Sequence, residues 1–206
     1  MNLALKDKGL LVVLSAPAGC GKDTVLAEVK KTDENVKQSI SMTTRAPRDG
    51  ETDGVDYYFT SQEDFENKIN ENGFLEYVKY GVNYYGTPKK AIEEMIADGK
   101  TVILKIEVEG AGNIRKMYPD AVSIFIMPPS FSELSRRLKN RGTETEEDIC
   151  RRLKIAENEM QRANEYNYIV INDDLPVCVN DVLSIIKAER LKYSNMQEKI
   201  KNIINN

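Results

Sequence analysis

The run Ser15-Ala16-Pro17-Ala18-Gly19-Cys20-Gly21-Lys22-Asp23-Thr24 carries the first chemical signal in the chain. Alternating glycines let successive backbone N–H groups turn toward one point, and the helix-forming stretch Val25–Lys31 follows directly. An anion held there meets loop amides, a helix N-terminus and the ammonium of Lys22, which reaches the β- and γ-phosphates of a nucleotide. The match to the phosphate-loop pattern G-x-x-x-x-G-K-S/T is incomplete. Ala16 stands for the first glycine, and Asp23 stands where a hydroxyl would ligate Mg²⁺. A carboxylate at that place either holds the metal through water or repels the phosphates, and both readings are open. Thr24 supplies a hydroxyl one place out of register. The loop specifies nucleotide phosphate and does not distinguish a kinase from other nucleotide enzymes.

A second set lies in the polar stretch from Ser41 to Phe59. Arg45 and Arg48, with Tyr57 and Tyr85, form a donor set for a phosphate dianion, because guanidinium forks pair phosphate oxygens bidentately and phenol hydroxyls complete the shell. These cations matter because the chain as a whole has a formal charge of -4 and no global field to draw a polyanion. Nucleic acid and an anionic membrane surface are therefore not expected partners. The chain has no histidine, which excludes imidazole acid/base catalysis, histidine triads and histidine metal sites. Cys20, Cys150 and Cys178 show no paired spacing, and the apolar run Leu10–Leu14 is too short for a signal peptide or membrane span. A cytoplasmic protein without an obligate protein partner is expected.

The elements that must hold these residues can be read from apolar runs alternating with helical patterns, the sequence form of a parallel sheet. Strands are expected at Leu10–Ser15, Thr101–Ile106, Val122–Met127 and Tyr168–Asn172, with Lys37–Ser41 a weaker fifth. Ser130 with Glu133 and Thr145 with Asp148 read as helix starts, Thr87-Pro88 puts proline at a first helical position, and glycines 73, 99 and 142 mark helix ends. Phe74–Tyr85 reads as a hairpin around Gly81, and Ser132–Met160 as two helices joined by an exposed turn. The tail from Leu191 reads as a helix running on from Asp181.

From Thr43 the sequence resembles the guanylate kinase family. Thr43, Thr44, Arg45, Arg48, Glu51, Gly54, Tyr57 and Phe59 satisfy its signature at the right spacing. The resemblance continues through Glu76, Asn83–Gly86, Ile106–Gly110, Pro128–Ser130, Arg141–Glu147 and Val170–Asp174, covering about residues 10 to 190. It implies an α/β fold: a P-loop NTPase-type parallel five-stranded sheet flanked by helices, with an inserted mixed β/α monophosphate-binding lobe and a helical lid. The core would comprise about 8–40, 88–130 and 164–206, the lobe 41–87 and the lid 131–163.

The implied reaction is transfer of the γ-phosphoryl of ATP to the 5′-phosphate of GMP or dGMP, with Mg²⁺. The family match places ATP on Ala16, Pro17, Ala18, Gly19, Cys20, Gly21, Lys22, Asp23, Thr24, Arg137, Arg141 and Asn172. It places GMP on Ser41, Arg45, Arg48, Tyr57, Glu76, Tyr85, Thr87 and Glu107. Guanine offers N–H donors at N1 and N2 where adenine offers an acceptor at N1, so Glu76 and Glu107 select the base. Ser41 and Thr87 would face its O6. Lys22, Arg45 and the lid arginines Arg137, Arg141 and Arg152 would carry catalysis, Arg137 and Arg141 from one helix face. Asp23 and Thr24 would touch the metal mostly through water. Lys105 stands where the family commonly has an acid and Glu109 where it has glutamine, so Lys105 would lie beside Glu107. Two other functions share these features: a binding module that has lost catalysis, and a P-loop kinase acting on another phosphorylated acceptor such as ribose bisphosphate.

Overall fold

The computed structural model describes residues 9–140 and 145–205. Five strands, β1 (Leu10–Ser15), β2 (Val36–Gln38), β7 (Thr101–Lys105), β8 (Val122–Met127) and β9 (Tyr168–Ile171), form one parallel sheet in the order β2-β7-β1-β8-β9. Strands buried on both faces need apolar side chains at every position, and β1 has them: Val12, Val13 and Leu14 are all fully buried. Because successive side chains face opposite ways, Val12 and Leu14 join one half of the core and Val13 the other. The first half is completed by α1 (Lys22–Thr32) and α7 (Leu175–Arg190) through Val25, Leu26, Val29, Val182 and Ile186. The second is completed by α3 (Lys89–Ala97) and α4 (Val108–Met117) through Ile92, Ala111 and Ile114.

Residues 42–88 build a second sheet in the order β4-β3-β6-β5, from β3 (Met42–Thr43), β4 (Tyr58–Phe59), β5 (Phe74–Tyr80) and β6 (Asn83–Pro88). Its helix α2 (Gln62–Asn70) plugs it with Phe65, whose ring stacks on Phe74 at 4.4 Å and on Tyr84 at 5.3 Å. α5 (Phe131–Lys139) and α6 (Glu146–Gln161) join the first half of the core through Leu134, Leu138, Ile149 and Ala156 and are followed by a short 3₁₀ turn, Ala163–Glu165.

Local readings shift in four places. The weak strand forms at Val36–Gln38 instead of Lys37–Ser41, because its ladder to β7 ends at Gln38–Ile103 and the chain then leaves for the second sheet. Pro88 ends β6, opposite Phe74, and is the cap of α3 instead of its first residue. After α2 the left-handed residue is Asn72, with φ 53°; Gly73 is needed for space, since a Cβ there would meet Lys68 Cγ at 2.6 Å. The tail is not one helix. Glu189 accepts from Tyr168 Oη and, at 2.7 Å, from Lys192 Nζ, the chain turns at Leu191, and α8 (Tyr193–Asn205) starts afresh. Gly142 lies outside the described residues.

Candidate active site

The phosphate loop leaves the end of β1 and re-enters structure at α1. Gly19 and Gly21 have φ of +90° and +79°, the left-handed conformation that glycine tolerates best. Substitution at either is blocked twice over: a Cβ would lie 2.8 Å from Leu138 Cδ2 at Gly19 and 2.7 Å from Asn172 Nδ2 at Gly21. Asn172 buttresses the loop by donating to the Cys20 carbonyl at 2.8 Å. The first helical bond of α1 runs from Val25 N to Gly21 O, so the N–H groups of Lys22, Asp23 and Thr24 have no acceptor within the helix and face an incoming anion. Ala16, Pro17 and Cys20 are buried beneath the loop, whereas Ala18, Asp23 and Thr24 are exposed. Burial pushes the Cys20 thiol up to about 12, so it is a packing group and not a nucleophile.

Four cations of the site are each held by a carboxylate. Lys22 Nζ lies 3.0 Å from Glu107 Oε1. Lys105 Nζ lies 2.7 Å from Asp23 Oδ1, so its hydrogen bond goes there, while Glu107 acts on it electrostatically as the expected neighbour. Arg45 Nη2 donates to both oxygens of Glu51, at 2.8 and 2.9 Å, and Glu51 also accepts from the backbone of Arg48 at 2.8 Å. Arg137 Nε donates to Glu133 at 2.8 Å. Glu133 was expected to close a capping box; only half forms. Ser130 caps the Glu133 N–H, while the Glu133 carboxylate turns to Arg136 and Arg137, which hold it down at about 2.

In the second sheet Arg45 sits over the Tyr57 ring at 5.5 Å, and Tyr57 meets Tyr85 edge-on at 6.1 Å. Arg48 is exposed beside them. Glu76 is placed by a β-bulge: the ladder slips between Phe74–Pro88 and Glu76–Thr87, so the consecutive residues Leu75 and Glu76 both turn inward. Glu76, 6% exposed, accepts from Thr87 Oγ1 at 2.7 Å, and burial raises its carboxyl above the usual carboxylate range against that bond. Its other oxygen faces Gly110 of α4, where a Cβ would come within 3.1 Å. Ser41 is half-buried and accepts through its backbone carbonyl from Tyr58 N at 2.8 Å. Glu107 caps α4 by position only, for its side chain makes no cap bond and stays 71% exposed.

Of the arginines expected to form a lid, Arg137 lies close enough to the loop to act electrostatically on Cys20, and Leu134 and Leu138 of the same helix pack on Gly19. The helix α5 stops at Lys139, and Arg141 lies outside the described residues. Arg152 is half-buried on α6. Glu51, one of the signature residues, proves to be the clamp of Arg45, and two participants carry no local sequence signal of their role: Lys105, which clamps Asp23, and Glu159 of α6. Burial and the nearby Glu107 push Glu159 up to about 7, against the pull of Lys22 and Arg162.

As a metal site the loop offers oxygen donors of the kind magnesium prefers, but sparsely. Asp23 is engaged with Lys105, and among the described residues no three His, Cys, Asp or Glu side chains cluster to hold an ion. That donor set fits Mg²⁺ carried mainly by nucleotide phosphates and water. Among the described residues no helix is long and apolar enough to cross a membrane.

A phosphate loop at the end of a central parallel strand, faced by an arginine–tyrosine cluster on an inserted sheet, defines a P-loop nucleotide phosphotransferase. The guanylate kinase family model matches residues 8–189. Guanylate kinases of Halalkalibacterium halodurans and Clostridium tetani are each 47% identical to the chain, covering 97% and 94% of it and 98% and 93% of their own length. The crystal structure of guanylate kinase from Anaplasma phagocytophilum superposes with a TM-score of 0.74 at 34% identity, covering 93% of this chain and 91% of that one. Shikimate kinase from Bacteroides thetaiotaomicron, at 15% identity and a TM-score of 0.50 over 86% of this chain and 98% of its own, shares the fold alone. The chain belongs to the guanylate kinase family, and is a nucleoside monophosphate kinase.

Proposed function

We propose that the protein transfers the γ-phosphoryl of ATP to GMP or dGMP, giving ADP and the guanosine diphosphate. The observation that carries the choice of acceptor is Glu76: a buried carboxylate, aimed inward by a bulge, on the same sheet as the Arg45–Tyr57–Tyr85 phosphate cluster. Guanine N1–H and N2–H donate to such a group, whereas adenine N1 would set an acceptor against it. A site with buried polar partners rejects the wrong base by roughly 10⁴-fold, because the mismatch leaves those groups unpaired. Thr87 holds the Glu76 carboxylate, and Thr87, Ser41 and Glu107 complete the base contacts. Arg45, Arg48, Tyr57 and Tyr85 bind the acceptor phosphate.

On the donor side the loop from Ala16 to Thr24 wraps the triphosphate, Asn172 keeps the loop in place, and Lys22 meets the β- and γ-phosphates. Arg137, Arg141 and Arg152 come from the lid side to meet the charge that spreads over the transferred group. Mg²⁺, when bound with ATP, neutralises phosphate charge, and Asp23 and Thr24 stand where its water shell would be. No general base is required: the second pKa of a phosphate monoester is about 6, so the attacking oxygen is ionised near neutrality. A chain without histidine can run this reaction. Phosphoryl transfer needs water excluded, so the lobe at 41–87 and the lid at 131–163 close on the core when both substrates are present. The cysteines are unpaired, Cys20 and Cys178 buried and Cys150 exposed, which suits the reducing cytoplasm.

The test is ADP formation from ATP and Mg²⁺ with GMP, AMP, UMP or ribose bisphosphate as acceptor. Turnover with GMP is the expected result. Turnover with another acceptor in preference to GMP would overturn the base assignment, and none with any acceptor would point to a binding module.

A further inference from the structure

The phosphate loop's departure from its ordinary pattern meets a cation delivered by the sheet. Asp23 brings a carboxylate to the place of a hydroxyl, and Lys105 stands at the end of β7. They are 82 positions apart in sequence and 2.7 Å apart in space. The sheet register brings them together: Lys105 pairs with Leu14, one residue before the end of β1, and the loop that follows returns at the first turn of α1, which carries Asp23. The lysine stem is packed, with 31% of its side chain exposed, while the Asp23 side chain is 78% exposed on the face where the donor phosphates must sit. Lys105 also feels Tyr57 and Glu107.

A carboxylate one residue after Lys22 opposes that lysine's attraction for a triphosphate, because like charges a few ångströms apart repel even where solvent screens one of them, and a triphosphate carries several. A cation bonded to one of its oxygens cancels the charge and turns the group toward β7. We propose that Lys105 is a positioning residue for the donor nucleotide: by pairing Asp23 it keeps the loop's added carboxylate from repelling the ATP phosphates, so that the two positions work as one electrostatic unit. The inference rests on the reading of the loop as the ATP site.

The experiment compares wild type, Lys105→Met, Asp23→Asn and the double variant, measuring KM for ATP and for GMP separately and the Kd of a fluorescent ADP analogue. Wild type must first turn over ATP and GMP; if it does not, the functional reading fails, and not this inference. Lys105→Met keeps the packed stem and should raise KM for ATP and the ADP Kd about tenfold, with KM for GMP within about twofold, since the carboxylate that Lys105 had held now acts on the donor site. Adding Asp23→Asn should restore ADP affinity to within about threefold of wild type. An increase confined to KM for GMP would overturn the proposal, showing that Lys105 serves the acceptor phosphate. A double variant no better than Lys105→Met would overturn it too. If thermal melts show Lys105→Met unfolded, Asp23→Asn alone decides, with ADP binding measured in the absence of Mg²⁺ so that the metal's water shell plays no part: removing the carboxylate should tighten ADP binding, and a loss of affinity sinks the idea.

Discussion

Lys22 Nζ and Glu107 Oε1 stand 3.0 Å apart, so the cation proposed for ATP and a carboxylate proposed for guanine are bonded to each other across 85 positions of sequence. Each substrate must take one member of the pair from the other. Lys22 is 12% exposed and Glu107 71%, which makes the pair weak enough to exchange.

Glu107→Gln should therefore move the two substrates in opposite directions. ATP binding tightens up to about fivefold, the range of a partly exposed ion pair, as Lys22 is released. KM for GMP rises about tenfold, the order of a lost charge-assisted hydrogen bond. Isothermal titration with a non-hydrolysable ATP analogue, alongside steady-state kinetics in GMP, reads both; weaker ATP binding would contradict the exchange.

Glu76→Gln should raise KM for GMP at least tenfold while leaving the ADP Kd within about twofold, because removing a buried acceptor for two N–H groups affects the base alone. Acid should mimic the mutation. Burial raises the Glu76 carboxyl above 4.5, and guanine needs it ionised, so KM for GMP climbs as pH falls toward that raised value, in addition to the change at about pH 6 that the acceptor phosphate itself causes in both proteins. The variant's KM should lack the rise due to Glu76. An identical pH profile in both proteins would remove Glu76 from base recognition.

Gly110→Ala separates stability from binding. A Cβ would lie 3.1 Å from Glu76 Oε2, so the carboxylate must shift by a few tenths of an ångström. Alanine in a helix is favoured over glycine by about 0.8–1.0 kcal/mol, so the melting temperature should hold or rise. KM for GMP should nevertheless increase about fivefold or more, the loss of one imperfectly aligned hydrogen bond. Unchanged KM would mean that Glu76 does not need its present position.

Glu159→Gln should be stabilising at alkaline pH. The group is raised in the folded protein from 4.5 to about 7, so folding favours its protonated form. Its contribution is fully present below pH 4.5, is lost as pH rises to about 7, and is level beyond. At pH 8 the variant should gain on the order of 1–2 kcal/mol over wild type, discounted for partial exposure, and at pH 4.5 nothing. Denaturant melts at both values give the difference; equal gains at both would exclude the titration as cause.

The amino-acid sequence alone is enough for those parts of the site whose chemistry is local. The glycine alternation before Lys22, the Arg45-to-Phe59 run and the apolar strands Leu10–Ser15 and Val122–Met127 are read from neighbours a few residues apart, because loop geometry and strand burial impose their demands at that range. Helix starts at Ser130 and Thr145 belong to the same class. Element ends were less legible: Pro88 and the break at Leu191 depend on a strand partner and on a buried Glu189, neither of which is adjacent in sequence.

What tertiary structure alone decided is which charge answers which. Sequence adjacency put Lys105 beside Glu107 and left Asp23 facing metal or phosphate. The register of β7 on β1 keeps Lys105 within electrostatic reach of Glu107 but gives its hydrogen bond to Asp23, and Lys22 takes Glu107. Likewise the slip between β5 and β6 turns Glu76 inward, which no alternation pattern contains. The physical reason is that backbone conformation follows from short-range sterics, whereas an ion pair forms wherever the sheet register brings opposite charges within reach.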